Sequence, residues 1–74
     1  MERLTVRHTT MDNGKVTYHE THHQGFTDAL HDLRIRVEFG GHRAVVAAPG
    51  NLILATGHRE NGDTVLRIIG PSDE

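Results

Sequence analysis

The sequence predicts a mostly β protein: a small antiparallel sheet or barrel with one short helix. Turn signals recur along the chain, the segments between them alternate apolar and polar residues, and one stretch after the second strand has helical spacing. We predict the order ββαββββ, with ββαβββ as the fallback if residues 27–39 form one helix. The turn signals are Asp12-Asn13-Gly14, Gly40-Gly41, Pro49-Gly50 and Asn61-Gly62.

The size of the chain limits how it can be stabilised. Its 74 residues predict one small domain over residues 1–74, whose core is thin because short chains bury little of their surface. Such small proteins usually need a disulfide, a metal or a partner chain. The absence of Cys excludes disulfides and thiolate zinc sites. A partner chain or a His/carboxylate metal site therefore remains.

Charge and hydropathy exclude several classes of partner. The net charge of −2 gives no overall attraction to nucleic acid or to acidic membranes. No apolar run approaches the roughly 18 residues of a membrane-spanning helix. Residues 1–6 read as a strand rather than as the apolar core of a signal peptide. We expect a cytoplasmic protein without membrane contact.

The first hairpin is expected over residues 3–23. A three-residue loop at Asp12-Asn13-Gly14 would place Val16 and Tyr18 on the same face as Leu4 and Val6. A two-residue Asn13-Gly14 turn would place these two pairs on opposite faces. We favour the longer loop because register follows the face that can be buried.

Residues 25–39 fit two structures. Phe26, Ala29, Leu30, Leu33 and Val37 keep helical spacing, and Thr27 could cap the helix. Residues 34–39, however, alternate strictly, as in a strand. We favour a helix over 27–33 followed by a strand over 34–39. Asp28 and Asp32 are interpreted as solvated acids near the helix start.

The remaining strands are predicted at 43–48, 51–57 and 64–69, followed by a flexible tail over 70–74. An antiparallel sheet with one wet face should alternate cleanly, but these strands carry apolar residues on both faces. The predicted core face is Ile35, Val37, Phe39, Ala44, Val46, Ile53, Ala55, Leu66 and Ile68. The second apolar set predicts the interface of a homodimer, unless the strands close into a barrel: Val45, Leu52, Leu54, Val65 and Ile69.

His19-Glu20-Thr21-His22-His23 resembles the H-E-x-x-H motif of zinc metallopeptidases. The resemblance implies that His19 and His23 bind zinc and that Glu20 acts as base. The motif continues a predicted strand, where residues four apart lie about 13 Å apart, too far to share one ion. A non-catalytic site could instead use Glu20 and His22, with His8 on the same predicted face.

A second hypothesis is nucleic-acid or other anion binding by the outer face of the first hairpin. Arginine, lysine, histidine and threonine side chains suit phosphate oxygens. This face lacks the exposed aromatic residues that stack on unpaired bases. The predicted cationic set is Arg3, Arg7, Lys15, His19 and His23.

Apart from the H-E-x-x-H pentapeptide, nothing in the sequence predicts an enzyme. There is no Cys nucleophile, and the one Ser, Ser72, lies in the predicted tail. We therefore expect a non-enzymatic protein without a cofactor that binds another protein, as a homodimer. The alternatives are nucleic-acid binding and a His-based zinc site at 19–23.

Overall fold

The computed structural model of the protein describes residues 3–71, and the fold is mostly β as predicted. The five strands form one antiparallel sheet in the order β2-β1-β3-β4-β5, so that β3 is central and β2 and β5 are the edges. The observed order, ββαβββ, is the fallback. The elements are β1 (Leu4–Asp12), β2 (Lys15–His23), α1 (Phe26–Gly40), β3 (Arg43–Ala48), β4 (Leu52–Glu60) and β5 (Asp63–Arg67).

The first hairpin closes with a two-residue turn, so the predicted three-residue loop is wrong. Asp12 pairs with Lys15, and Asn13 and Gly14 between them have φ of 52° and 80°. Two successive left-handed residues are typical of a type I′ turn, whose twist matches that of the strands. Tyr18 therefore pairs with Thr9. Turn geometry has set this register, leaving Val16 and Tyr18 on the face opposite Leu4 and Val6.

The helix continues through the segment predicted as a strand, so the strand over 34–39 is wrong. Ala29, Leu33 and Val37 are its buried residues, and burial of Val37 extends one apolar stripe along α1. Gly25 rather than Thr27 caps the start. The helix ends at Gly40 and is capped by Gly41, whose φ is 71° and whose N–H donates to the Val37 carbonyl at 2.9 Å. Gly40-Gly41 is therefore a helix end and not a hairpin turn.

The core lies between α1 and one face of the sheet. Leu4 and Val6 of β1 and Val46 of β3 pack against the buried side of the helix. Gly57 lets the helix approach β4, because a Cβ at that position would lie 2.7 Å from Leu33 Cδ2. Ile35 and Phe39, predicted core residues, are exposed on the outside of α1. Two more predicted core residues, Leu66 and Ile68, are also exposed.

A β-bulge in β4 explains why Leu52 and Leu54 were predicted on the wrong face of the sheet. Val46 pairs with Ala55, but the next residue, Ala47, pairs with Ile53, so Leu54 is an extra residue. Leu54 packs against the core, and alternation on either side of it is out of phase. Ile53, predicted in the core, therefore lies on the face turned away from α1.

The described end of the chain runs back along β4. The Ile69 N–H donates to the Leu54 carbonyl at 3.3 Å, and Pro71 forms an isolated bridge with Leu52. The first part of the predicted flexible tail is thus in contact with the sheet, and residues 72–74 lie outside the described part. No helix within residues 3–71 is both long and apolar enough to cross a membrane.

Candidate functional site

The sheet face turned away from α1, here called the open face, is the candidate functional surface. Within residues 3–71, no secondary-structure element packs on it, since the one helix covers the opposite side. Strand pairing places an alternating set of side chains on this face. They are Thr5, Arg7, Thr9, Met11, Val16, Tyr18, Glu20, His22, Arg43, Val45, Ala47, Ile53, Thr56, His58, Glu60, Asp63, Val65 and Arg67.

One row of this face crosses all five strands. Direct pairs join Glu20 to Arg7, Arg7 to Val45, Val45 to Thr56 and Thr56 to Arg67. The row has an acid at one end, a cation at the other and an aliphatic residue on the central strand. Glu20 Oε1 lies 3.6 Å from Arg7 Nε, and both side chains are about half exposed. This pair is therefore open to solvent and to a partner.

The centre of the open face is a shallow depression of about 350 Å³ with both apolar and cationic walls. Its lining includes the apolar residues Val45, Ala47 and Ile53 and the cationic residues Arg7 and Arg43. A surface of this kind suits a flat apolar partner with charged groups at its margin. The remaining lining residues are Thr9, Tyr18, Ala48 and Asn51.

The predicted interface residues do not all reach the open face. Val45 and Val65 lie on it, and Ile69 lines a second depression at its edge with Arg43 and Arg67. Leu54 packs against the core because of the bulge. Leu52 precedes Ile53 in the strand and points to the opposite side. Ile53 lies on the open face instead, where a β4 without the bulge would have placed Leu52 and Leu54.

The predicted anion-binding residues do not share a face. Arg7 lies on the open face, whereas His19 and His23 lie on the side of the sheet that carries α1. Lys15 is on the same side as His19, and Arg3 precedes β1. The observed hairpin register, one residue different from the predicted one, separates Arg7 from the rest. A cationic set does exist on the open face, but it is Arg7, Arg43 and Arg67.

The H-E-x-x-H pentapeptide is part of strand β2, as its flanking residues predict. His19 and His23 are four strand residues apart, too far to bind one zinc ion. Glu20 and His22 lie on the open face, while His8 pairs with His19 on the helix side, so the predicted combination with His8 is not formed. Among residues 3–71, no three His, Asp or Glu side chains are placed around a point that could hold a metal ion.

His23 instead links the edge strand to the helix. Its Nδ1 lies 2.6 Å from Asp28 Oδ2 and its Nε2 lies 2.9 Å from Asp32 Oδ2. The hydrogen bond to Asp28 raises the pKa of His23, and Asp32 adds to this against the effect of partial burial. With both nitrogens facing carboxylates, the protonated ring donates twice.

Asp32 is the centre of this cluster. It accepts from the Thr21 hydroxyl and from His23, and Arg36 Nε donates to its Oδ1 at 3.1 Å. Burial raises the pKa of Asp32, but these three hydrogen bonds outweigh it and the net shift is downward. Asp32 is thus an ionised anchor for β2, rather than the solvated acid that the sequence predicts.

Three residues of the open face were not selected from the sequence. Ile53 was placed on the predicted core face, Tyr18 on the hairpin face with Leu4 and Val6, and Arg43 was not assigned a role. The Asn13-Gly14 dipeptide is a signal for the observed hairpin register, since it favours the two-residue type I′ turn that exposes Tyr18. No comparable local signal marks the bulge that turns Ile53 outward.

Comparison with known proteins gives no family: no family model matches the chain, and neither a curated protein nor a solved structure shows significant similarity to it.

Proposed function

We propose that the protein is a non-enzymatic interaction protein that forms a homodimer through its open face. The observation that supports this proposal is that α1 covers only one of the two faces of the sheet. Tyr18 is 69% exposed, and Val45, Ala47 and Ile53 line a depression that no helix or strand within residues 3–71 covers. An apolar patch rimmed by charges is typical of a protein–protein contact. A cytoplasmic location is part of this proposal.

The occupant we infer is a second copy, because the five-strand row is complementary to itself. A two-fold axis running along β3 would place β2 of one copy over β5 of the other. Glu20 would then face Arg67 of the second copy, and Val45 would meet its own equivalent on the axis. Such an isologous contact needs only one kind of surface.

The area of the open face determines how strong the association of two copies can be. Five strands about 4.8 Å apart and about five residues long give a face of roughly 400 Å² in projection on each copy. Stable interfaces bury about 1,200–2,000 Å² in total, so this contact belongs to the weak, transient class. Association is therefore expected only at about micromolar concentrations or higher.

The decisive experiment is sedimentation equilibrium of the wild type and of Val45→Lys. A cation on the axis would face its own copy, so this variant should be monomeric at concentrations where the wild type associates. Phe39→Lys is the matched control, because Phe39 is 84% exposed on α1 and lies outside the open face. A monomeric wild type at millimolar concentration, or equal association of Val45→Lys and wild type, contradicts the proposal.

A charge exchange tests the orientation of the two copies. Glu20→Arg and Arg67→Glu should each weaken association several-fold, because each leaves like charges facing one another. The double variant Glu20→Arg/Arg67→Glu should recover most of the loss. If the double variant is weaker than both single variants, the two-fold axis does not run along β3.

Nucleic-acid binding is the second candidate, on the open face rather than on the predicted hairpin set. Arg43 borders both depressions, with Arg7 on one side and Arg67 on the other, and exposed Tyr18 could stack on a base. Binding through phosphates weakens steeply with salt. Titration of a fluorescent single-stranded oligonucleotide between 50 and 300 mM salt should distinguish it from the apolar dimer, whose association changes little.

A further inference from the structure

The second depression of the open face, of about 500 Å³, lies where strands β3, β4 and β5 adjoin. Thr56 of β4 pairs directly with Arg67 of β5, and the register of β3 with β4 places Arg43 opposite His58. Directly opposed residues have Cβ atoms about 4.5–5.5 Å apart and diagonal ones about 7–8 Å, so long side chains here can reach one small ligand. The lining residues are Arg43, Thr56, His58, Arg67 and Ile69.

The two arginines of this depression are exposed and open to a ligand. Among residues 3–71, neither Arg43 nor Arg67 forms an ion pair with a carboxylate. A guanidinium presents its N–H groups as a fixed fork that fits two oxygens of a phosphate. Since the two cations repel each other, a ligand with two negative charges would be stabilised beside them. The depression therefore suits an anion.

The other lining residues narrow the class of anion. Thr56 is only 5% exposed, so it is held in place, and its hydroxyl can donate to a ligand oxygen. Glu60 limits the cationic area, because its Oε2 lies 3.5 Å from His58 Nε2. Donors from three strands match the three acceptor oxygens of a phosphate group better than the two of a carboxylate. Ile69, 42% exposed, adds an apolar wall.

We propose that Arg43, Thr56 and Arg67 bind one phosphate group, either as free phosphate or as a small phosphate monoester. The arginines donate to its oxygens and balance its charge, and Thr56 donates to a further oxygen. Ile69 would contact the organic group of a monoester. One phosphate group is sufficient, which separates this site from nucleic-acid binding, where a base stacked on Tyr18 also takes part.

The experiment is an NMR titration of the ¹⁵N-labelled full chain at pH 7.5 with sodium phosphate and, separately, with phenyl phosphate. NaCl keeps the ionic strength constant. We expect saturable shifts of the Thr56 amide and of the Nε–H signals of Arg43 and Arg67. The expected dissociation constant is about 1–10 mM, because exposed charge pairs are screened by solvent and salt. Tighter binding of phenyl phosphate would assign the site to a monoester, and equal binding would assign it to free phosphate.

Charge-removing variants test which residues form the site. Arg43→Gln and Arg67→Gln should each weaken binding by about fivefold or more, since each removes charge-assisted hydrogen bonds. Arg34→Gln is the matched control, because it removes the same charge from the exposed surface of α1. Circular dichroism of each variant verifies folding.

Two results would overturn the proposal. One is the absence of saturable shifts with both phosphate compounds. The other is equal weakening by Arg34→Gln, which would indicate general attraction of anions to the protein surface.

The phosphate site does not rest on the homodimer, although both involve Arg67, which Glu20 of a second copy would face. Titration of Glu20→Gln tests the site without that competing carboxylate. Absence of phosphate binding by this variant would refute the phosphate site, whatever the association state. A monomeric wild type that binds phosphate would refute only the homodimer.

Discussion

His23 connects the protonation state of one ring to the contact between strand β2 and helix α1. Its two nitrogens face Asp28 and Asp32, so the double hydrogen bond requires the charged ring. When the ring loses its proton, one nitrogen becomes an acceptor facing a carboxylate, and that hydrogen bond is lost. The link is therefore strongest at mildly acidic pH.

We predict that His23→Gln reduces the pH dependence of the free energy of unfolding. A folded-state pKa raised above 6.5 means that the stabilisation is complete below pH 6.5 and is lost as pH rises through the folded pKa. Urea unfolding at pH 5.5 and 8.5 should show a smaller difference for the variant than for the wild type. His31→Gln, on the exposed side of α1, is the control. Equal differences for both variants would refute the role of His23.

A substitution at Gly40 tests how tightly the buried His8 ring is packed. Alanine is the better helix former by up to about 1 kcal/mol, but a Cβ here would lie 2.5 Å from Cε1 of His8. We predict that Gly40→Ala destabilises the protein by about 1–3 kcal/mol, the usual cost of overpacking. In the His8→Ala background the same change should be neutral or stabilising. Thermal unfolding of the four chains measures this coupling, and additive effects would contradict it.

Side-chain partners of this kind were only partly predictable from the sequence. His19, His22 and His23 were considered as metal ligands because they belong to an H-E-x-x-H sequence. All three lie in strand β2, whose extended backbone keeps His19 and His23 too far apart to bind one ion. The hydrogen-bond partners of His23 are Asp28 and Asp32, which lie beyond Gly25 on helix α1. Such a contact depends on how α1 packs over β2, which local spacing does not specify.

At the scale of elements, the extent of α1 gives a direct test. In a strand over 34–39, Ile35 and Val37 would share a face and matter equally; in the helix, Val37 is fully buried and Ile35 is 41% exposed. We predict that Val37→Ala costs about 1–3 kcal/mol from lost burial, whereas Ile35→Ala changes stability by no more than about 0.5 kcal/mol. Equal losses in urea unfolding would favour the strand.

Turns and strands were predicted correctly where the residues within them determine the local structure. Asn61-Gly62, with φ of 52° and 89°, forms the turn between β4 and β5, and Pro49-Gly50 lies in the turn between β3 and β4. Residues 34–39 were misassigned because β propensity is weaker than the burial of a continuous helical stripe. The first register was wrong because we assumed that every apolar residue of the hairpin is buried.

At the scale of the whole molecule, a homodimer makes stability depend on concentration. Ligands and partners that bind only the folded chain raise the unfolding temperature by mass action. We predict that the unfolding temperature of the wild type rises between 10 µM and 1 mM protein, and that Val45→Lys shows no such rise. Calorimetry at the two concentrations measures it. If the unfolding temperature of the wild type did not change with protein concentration, this would argue against association through the open face.

The mostly β class was predictable because alternation and turn residues occur along the whole chain. The assignment of residues to the two faces was not, because it depends on the register of the first hairpin and on one extra residue in β4. Leu54 brings two successive positions toward the core, and every face assignment made by simple alternation across it is inverted on one side. The dimer hypothesis was therefore attached to Leu52 and Leu54 instead of Ile53.

The bulge at Leu54 also has a consequence for aligning this chain with others. A protein of the same fold with a regular β4 would be one residue shorter at this point. An alignment without a gap there would match solvent-facing positions of one chain with helix-facing positions of the other, and their similarity scores would fall on one side of the strand. Searches for distant relatives should therefore permit a single-residue deletion at position 54.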